Sequence, residues 1–111
     1  ILATDGTLAA ETYQLACQAQ GIDWAVPSEE HQQEVMSVIY DDIKQGKRAD
    51  MAKFGAAVHD LKKQGCDMAV LGCTELSLVK RDEHLGMFFI DSTEVLCRHA
   101  LEACGVKPIG F

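Results

Sequence analysis

The sequence predicts an α/β fold, with an open parallel sheet of about four strands and helices on both faces. Short apolar runs alternate with longer segments of helical periodicity along all 111 residues, the pattern of parallel strands joined by crossover helices. Glycine or proline separates most of these segments, and there is no long linker or internal repeat. One domain of ordinary size, spanning residues 1–111, is therefore expected.

The elements follow one another in a regular order. Each predicted strand is a run of apolar or β-prone residues, and each predicted helix has apolar side chains three or four positions apart. Gly21, Gly46 and Gly65 stand where helical patterns stop, since glycine readily adopts the left-handed conformation that ends a helix. Asp91 and Glu94 have capping-box spacing at the start of the last helix. In chain order we expect strand 1–3, helix 8–20, strand 22–26, helix 29–45, helix 49–64, strand 67–71, a short helix 75–80, strand 87–90 and helix 92–104.

The composition indicates a globular cytoplasmic protein and excludes several classes of partner. The formal charge is −7 and the basic residues are scattered, so nucleic acid is not expected as a partner. No membrane span is expected either, because no apolar run approaches about 18 residues. The cysteines are odd in number and lack Cys-x-x-Cys spacing, which favours reduced thiols and argues against a metal site. The chain starts at Ile1, within a predicted strand, so we expect it to be a piece of a longer polypeptide.

The segment 71–76, Leu-Gly-Cys-Thr-Glu-Leu, is the strongest indication of an enzyme. It follows an apolar run, so Cys73 is expected at the carboxyl end of a buried strand, where parallel sheets bind ligands. Gly72 allows a sharp turn, and a helix starting after Cys73 would lower the pKa of its thiol. Thr74 adds a hydroxyl that can bind a carboxylate. The structural alternative is that Cys73 simply fills the core.

Two further groups are candidates for the same site. The loop 4–7, Thr-Asp-Gly-Thr, reaches the same sheet edge and has the composition of an anion-binding turn, although small polar residues are also common in ordinary turns. Tyr40 and Lys44 are four residues apart on helix 29–45, so they share a face on which they can clamp a carboxylate. Both also have structural explanations, as a lysine favoured near a helix end and a tyrosine at the core edge.

These motifs resemble the second half of the aspartate/glutamate racemase family. The resemblance covers nearly the whole chain. It rests on the segments 3–7 with Tyr13 beyond them, 39–46, 71–76 and 90–93. The segment 71–76 is the most specific, because the Glu75 that follows Cys-Thr resembles the aspartate racemase branch. The glutamate racemase branch commonly has histidine at that place.

The resemblance implies a two-domain, pseudo-symmetric racemase that uses neither pyridoxal phosphate nor another cofactor. Each domain supplies one cysteine to a shared cleft; one thiolate removes the α-proton and the other thiol returns a proton to the opposite face. Cys73 is then the acid/base residue of the second domain, and Thr74 holds the α-carboxylate of the amino-acid substrate. Tyr40 and Lys44 reach the carboxylate end of the substrate, and Thr7 lines the cleft.

The chain also departs from the family pattern. The first-domain cysteine of the family lies in a Cys-Asn-Thr segment, and this chain contains no asparagine. We therefore expect a partner domain upstream and an inactive chain in its absence. Ala10 stands where the family usually has serine. Hydantoin racemases, maleate isomerases and malonate decarboxylase types are the enzymatic alternatives, and a non-catalytic domain that binds a dicarboxylate is the other class. A homo-oligomer is expected in either case.

Overall fold

Three parallel extended segments form the middle of the molecule. The structure is a computed structural model that describes residues 1–107 and 109. Strands β1 (Ala69–Leu71) and β2 (Phe89–Asp91) pair in parallel, with Leu71 opposite Asp91. On the other edge of β1, Leu2 forms an isolated parallel bridge to Leu71, so the predicted strand 1–3 is present as a one-residue bridge. The Leu2 N–H donates to the Val70 carbonyl at 2.9 Å, and the Leu2 carbonyl accepts from the Gly72 N–H at 2.8 Å.

Helices connect and surround these segments. They are α1 (Asp5–Ala9), α2 (Thr12–Ala19), α3 (Glu29–Ser37), α4 (Met51–Lys63), α5 (Thr74–Asp82) and α6 (Ser92–Ala103). Helix α3 continues directly into a π-helical turn (Val38–Asp42) and a 3₁₀ turn (Ile43–Gln45) before it ends at Gly46. The predicted helices 29–45, 49–64, 75–80 and 92–104 and the predicted strands 67–71 and 87–90 all overlap these elements.

The predicted strand 22–26 is wrong. This segment is irregular, and its backbone makes scattered hydrogen bonds: the Ala25 carbonyl accepts from the Ile1 amino group, and the Val26 carbonyl accepts from the Gln64 side chain. Ile22 is 57% exposed. A β-prone sequence forms a strand only where its side chains pack against neighbouring strands, and this segment has no such face. The described part of the chain therefore contains a sheet of two strands with one added bridge, instead of about four strands.

The predicted helix 8–20 is divided into two short helices. The Thr4 hydroxyl accepts from the Thr7 N–H at 3.2 Å and so starts α1 earlier than predicted, at Asp5. Glu11 is left-handed, with φ of 56°, and separates α1 from α2. The buried Gln14 side chain donates to the Leu8 carbonyl at 3.1 Å and satisfies a group near the break. No glycine or proline marks this break in the sequence, which is why periodicity alone missed it.

The hydrophobic core joins the sheet to α3, α4 and α5. Its fully buried side chains come from the Leu2 bridge, from β1 and from the inner faces of these helices and the π-helical turn: Leu2, Val35, Val38, Ile39, Phe54, Leu61, Leu71, Leu76 and Val79. Helix α6 lies outside this core, since none of its described residues is buried. The core therefore fixes β1, α5 and the α3 extension relative to one another.

Gly72 lies where the core leaves no room for a side chain. A Cβ placed there would lie 2.9 Å from Tyr13 Cε2 and 3.0 Å from Ala3 Cβ. We expect Gly72→Ala to lower the free energy of unfolding by about 1–3 kcal/mol, as overpacking does. Gly55→Ala is the matched control, because Gly55 faces open space inside α4 and alanine there should stabilise by roughly 0.5–1 kcal/mol. Urea unfolding measures both, and equal stabilities for the two variants would contradict the close packing at Gly72.

Candidate functional site

Cys73 lies where β1 ends and α5 begins. It is the N-cap residue of α5, with an extended backbone (φ −147°, ψ 160°), and it follows Gly72 directly after the last strand residue. Its side chain is half-buried. The structure thus confirms that Cys73 lies at the carboxyl end of a parallel strand, which is the edge of the sheet where ligands bind.

Burial has a larger effect than the helix terminus on the Cys73 thiol. Burial raises its pKa above the ordinary value, and the backbone N–H groups of Leu76 and Glu75 at the start of α5 oppose this only in part. The Glu75 charge raises the pKa further and the Lys44 charge lowers it. The expected lowering of the pKa is therefore wrong for this chain. A thiol with a raised pKa is protonated at neutral pH, the form that donates a proton.

One carboxylate connects the predicted site residues around Cys73. Glu75 Oε1 lies 2.5 Å from the Lys44 Nζ, and Glu75 Oε2 accepts from the Thr74 hydroxyl at 2.9 Å. The Lys44 ammonium also lies over the Tyr40 ring, 5.3 Å from its centroid. The structure therefore brings Tyr40, Lys44 and Thr74 together beside Cys73. Sequence reasoning had assigned no site role to Glu75, although its acidic side chain follows Cys-Thr directly.

The π-helical turn carries Tyr40 and is fixed by an ion pair behind it. Asp42 is buried, accepts from the Asp50 N–H at 2.9 Å and lies 3.2 Å from the Lys53 ammonium. The hydrogen bond from Asp50 and the contact with Lys53 keep the pKa of Asp42 low. Lys53 also donates to the Ser37 hydroxyl at 2.8 Å, so it links both ends of the turn. Such turns occur often at functional sites, and this one keeps Tyr40 beside Lys44.

The segment 4–7, predicted as a loop, is the N-cap and first turn of α1. It lies at the same sheet edge, because the pairing of Leu2 with Leu71 aligns the two chain segments. The Thr7 hydroxyl accepts from the Thr4 hydroxyl at 3.0 Å, and no hydrogen bond joins it to Thr74 or Glu75 within the described residues. Helix α3 contacts the start of α1, since the Asp5 N–H donates to Met36 Sδ at 3.3 Å. Met36 lies four residues before Tyr40, so one helix face contacts the start of α1 and carries Tyr40.

A serine network ties the end of β2 to the cysteine turn. The Ser92 hydroxyl donates to the Leu71 carbonyl at 2.7 Å, and the Ser77 hydroxyl donates to the buried Asp91 at 2.6 Å. Asp91 also accepts from the Thr93 N–H at 2.9 Å and so caps α6. Sequence reasoning missed Ser77, which has no distinctive neighbours in α5. These bonds hold the backbone on either side of Cys73.

The other four cysteines lie in other elements of the fold. Cys66 precedes β1 and so lies toward the amino end of that strand, and Cys17 is in α2. Both act electrostatically on the Ile1 amino group. Cys97 is exposed on α6, and Cys104 is exposed just after it. Among the described cysteines, Cys73 is the one in the turn that also carries Thr74 and Glu75.

The described residues contain neither a metal-binding cluster nor a membrane-spanning helix. Over residues 1–107 and 109, no three His, Cys, Asp or Glu side chains are grouped so that they can hold a metal ion. Within the same residues, every helix is too short or too polar to cross a bilayer. The absence of a cofactor, the cytoplasmic location and the homo-oligomer remain predictions.

Comparison with known proteins gives the family. A sequence model described as Asp/Glu/Hydantoin racemase matches residues 1–100. The chain is also 33% identical, over 105 residues, to a protein of Pectobacterium carotovorum subsp. carotovorum described as an uncharacterized protein in the pnlA 3′ region; the match covers 92% of this chain and 69% of that protein. The chain belongs to the Asp/Glu/hydantoin racemase family, which confirms the family resemblance, while the aspartate racemase branch and the assignment to the second half of the protein remain predictions. A racemase-type function is therefore supported, and the relative's description adds no substrate.

The charges around Cys73 predict how its reactivity depends on pH. Lys44→Met removes the ammonium that lowers the thiol pKa, so the pKa should rise and alkylation by iodoacetamide should shift to higher pH. Lys63→Met in α4 is the control, since the Lys63 charge acts on Asp60. The rate is read from the Cys73-containing peptide by mass spectrometry in the intact protein. A profile that stays in place or shifts to lower pH would show that Lys44 does not act on the thiol.

Proposed function

We propose that the intact protein is a cofactor-independent isomerase that racemises aspartate or glutamate, with Cys73 as one of two acid/base cysteines. The observation that carries the proposal is the arrangement of Thr74 and Lys44 beside Cys73, because these two side chains already hold the two oxygens of one carboxylate. A thiol next to a carboxylate subsite suits proton transfer at the α-carbon of an amino acid. Membership of a racemase family supports the same chemistry.

Each residue has a definite part in this reaction. When the second cysteine has removed the α-proton of one enantiomer, the Cys73 thiol gives its proton to the opposite face of the resulting carbanion. In the reverse direction the Cys73 thiolate removes the α-proton. The α-proton is a very weak acid, so the carbanion requires stabilisation through the substrate carboxylate. We assign that stabilisation to the Thr74 hydroxyl and the Lys44 ammonium. Tyr40 orients Lys44, and we place Thr7 on the wall of the cleft.

The second cysteine is proposed to come from a partner domain. Proton removal and proton return occur on opposite faces of the α-carbon, so the two groups must approach it from opposite sides. Cys66 and Cys17 lie toward the amino end of the strands, and Cys97 and Cys104 are exposed on or after α6. None of them is in the turn between β1 and α5 that carries Cys73. We therefore propose that the two-domain protein is active and that this domain alone is not.

An acidic amino acid suits this site better than a hydantoin does. Lys44 supplies a positive charge on a chain of net negative charge, and its side chain is 41% exposed, so a ligand can reach it. An uncharged hydantoin ring has no carboxylate to pair with that charge. Assays with L-aspartate, L-glutamate and an alkylhydantoin would test the choice, and racemisation of the hydantoin alone would contradict it.

Cys73→Ser tests the acid/base assignment. Serine has nearly the same shape but is a far weaker acid, so racemisation in the intact protein should fall by about 100-fold or more, while thermal unfolding stays unchanged. The measurement is exchange of the α-proton with deuterated solvent, followed separately from each enantiomer. Cys97→Ser is the control, because Cys97 is exposed on α6. Wild-type racemisation by the Cys73→Ser variant would exclude Cys73 as a catalytic residue.

Lys44→Ala tests the substrate-binding assignment. The Lys44 side chain is partly exposed, so its loss should hardly change the thermal unfolding midpoint. KM for aspartate should rise roughly tenfold or more, since a charge-assisted hydrogen bond to the substrate is lost. Arg48→Ala removes a comparable surface ion pair with Glu83 and should leave KM unchanged. A large stability loss with an unchanged KM would mean that Lys44 is structural.

A further inference from the structure

The Glu75 carboxylate is bound as a substrate carboxylate would be. One of its oxygens lies 2.5 Å from the Lys44 ammonium and the other accepts from the Thr74 hydroxyl at 2.9 Å. Both donors are residues to which we assign substrate binding, and Thr74 is adjacent to Cys73. The subsite is therefore complete in this structure and is filled by a side chain of the chain itself.

We propose that Glu75 is a specificity-determining residue, an internal carboxylate that competes with the substrate carboxylate for Lys44 and Thr74. The inference rests on the proposed function, because it assumes that these two donors bind substrate. A ligand has to displace Glu75 before it can take this place. A ligand with a carboxylate gains contacts equivalent to those that Glu75 gives up, whereas an uncharged ligand gains nothing in exchange.

The local structure allows this exchange without a backbone change. The Glu75 side chain is 19% exposed and the Lys44 side chain is 41% exposed, so a rotation of the Glu75 side chain can release its carboxylate to solvent. Hydrogen bonds from Lys44 and Thr74 keep the pKa of Glu75 below its ordinary value, so Glu75 competes as an anion at neutral pH.

The Lys44 ammonium has a second contact, with the Tyr40 ring, that remains when the Glu75 carboxylate is displaced. It lies over the ring, 5.3 Å from the centroid, and this contact does not involve Glu75. Tyr40 in turn lies in the π-helical turn fixed by Asp42 and Lys53. Removing the Glu75 charge is therefore expected to free Lys44 for a ligand and to leave the ammonium near its present position.

Glu75→Gln in the intact protein tests competition. Glutamine keeps the shape of the side chain but loses the negative charge that holds Lys44. The readout is the L-aspartate concentration that gives half-protection of Cys73 from iodoacetamide, measured on the Cys73-containing peptide. We expect this concentration to fall by roughly three- to tenfold. Glu83→Gln is the matched control, with the same charge change at the end of α5 on a residue that pairs with Arg48.

Lys44→Met separates competition from a merely structural effect. In that background only the Thr74 hydroxyl is left to compete for, so Glu75→Gln should lower the half-protection concentration by much less than it does when Lys44 is present. Glu75→Asp is the second variant if glutamine impairs folding; the shorter side chain cannot reach both donors, and its half-protection concentration should lie between those of the wild type and Glu75→Gln.

The possible results separate this inference from the proposed function. In one outcome, aspartate protects Cys73 in both the wild type and Glu75→Gln, with a half-protection concentration that is equal or higher in the variant. That result overturns competition and leaves the proposed amino-acid site standing. A decrease of the same size in the Lys44→Met background also overturns competition. If aspartate protects Cys73 in neither protein, the proposed function fails and the inference fails with it.

Discussion

The parallel pairing at Leu71 is the constraint on which the site depends. Leu71 pairs with Leu2 on one side and with Asp91 on the other, so all three segments end at the same edge of the sheet. This common edge therefore carries the start of α1, the turn at Cys73 and the start of α6. A register shift of one residue would turn the side chains of β1 to the opposite face and separate these turns. The Ser92 hydroxyl on the Leu71 carbonyl helps to hold this register.

Two opposing effects determine the protonation state of the Cys73 thiol. Burial favours the neutral thiol, while the Lys44 charge and the N–H groups of α5 favour the thiolate. Glu75 adds to the effect of burial, both through its own charge and because it pairs with Lys44. The structure therefore has a protonated Cys73 thiol beside a Lys44 ammonium that is paired with the Glu75 carboxylate. In the proposed reaction this is a resting arrangement, in which the thiol is in its proton-donating form and the Lys44 charge is neutralised.

Local sequence signals predicted the elements that bury a continuous apolar face, and they failed where tertiary contacts decide. The apolar run before Gly72 correctly predicted β1, and the helical periodicity of segment 49–64 correctly predicted α4, because both segments contribute side chains to the core. Strand 22–26 was wrong because no neighbouring strand covers it, and a left-handed Glu11 divides helix 8–20 without any glycine signal. The sequence placed Cys73 at the strand end. The burial that raises its pKa and the contact between Glu75 and Lys44 depend on residues about thirty positions apart, which no local pattern reveals.

A racemase that uses one thiol in both directions needs that thiol to be accessible in both protonation states. Closing a cleft over Cys73 would bury it further and raise its pKa, which favours proton donation and opposes proton removal. Positive charge near the thiolate is then required, and Lys44 is the nearby cation that acts on Cys73 in this domain. When Glu75 holds Lys44, that charge is largely neutralised. A substrate that displaces Glu75 brings its own ammonium group to the site together with its carboxylate. Binding of the amino acid would thus favour the thiolate that its own deprotonation requires.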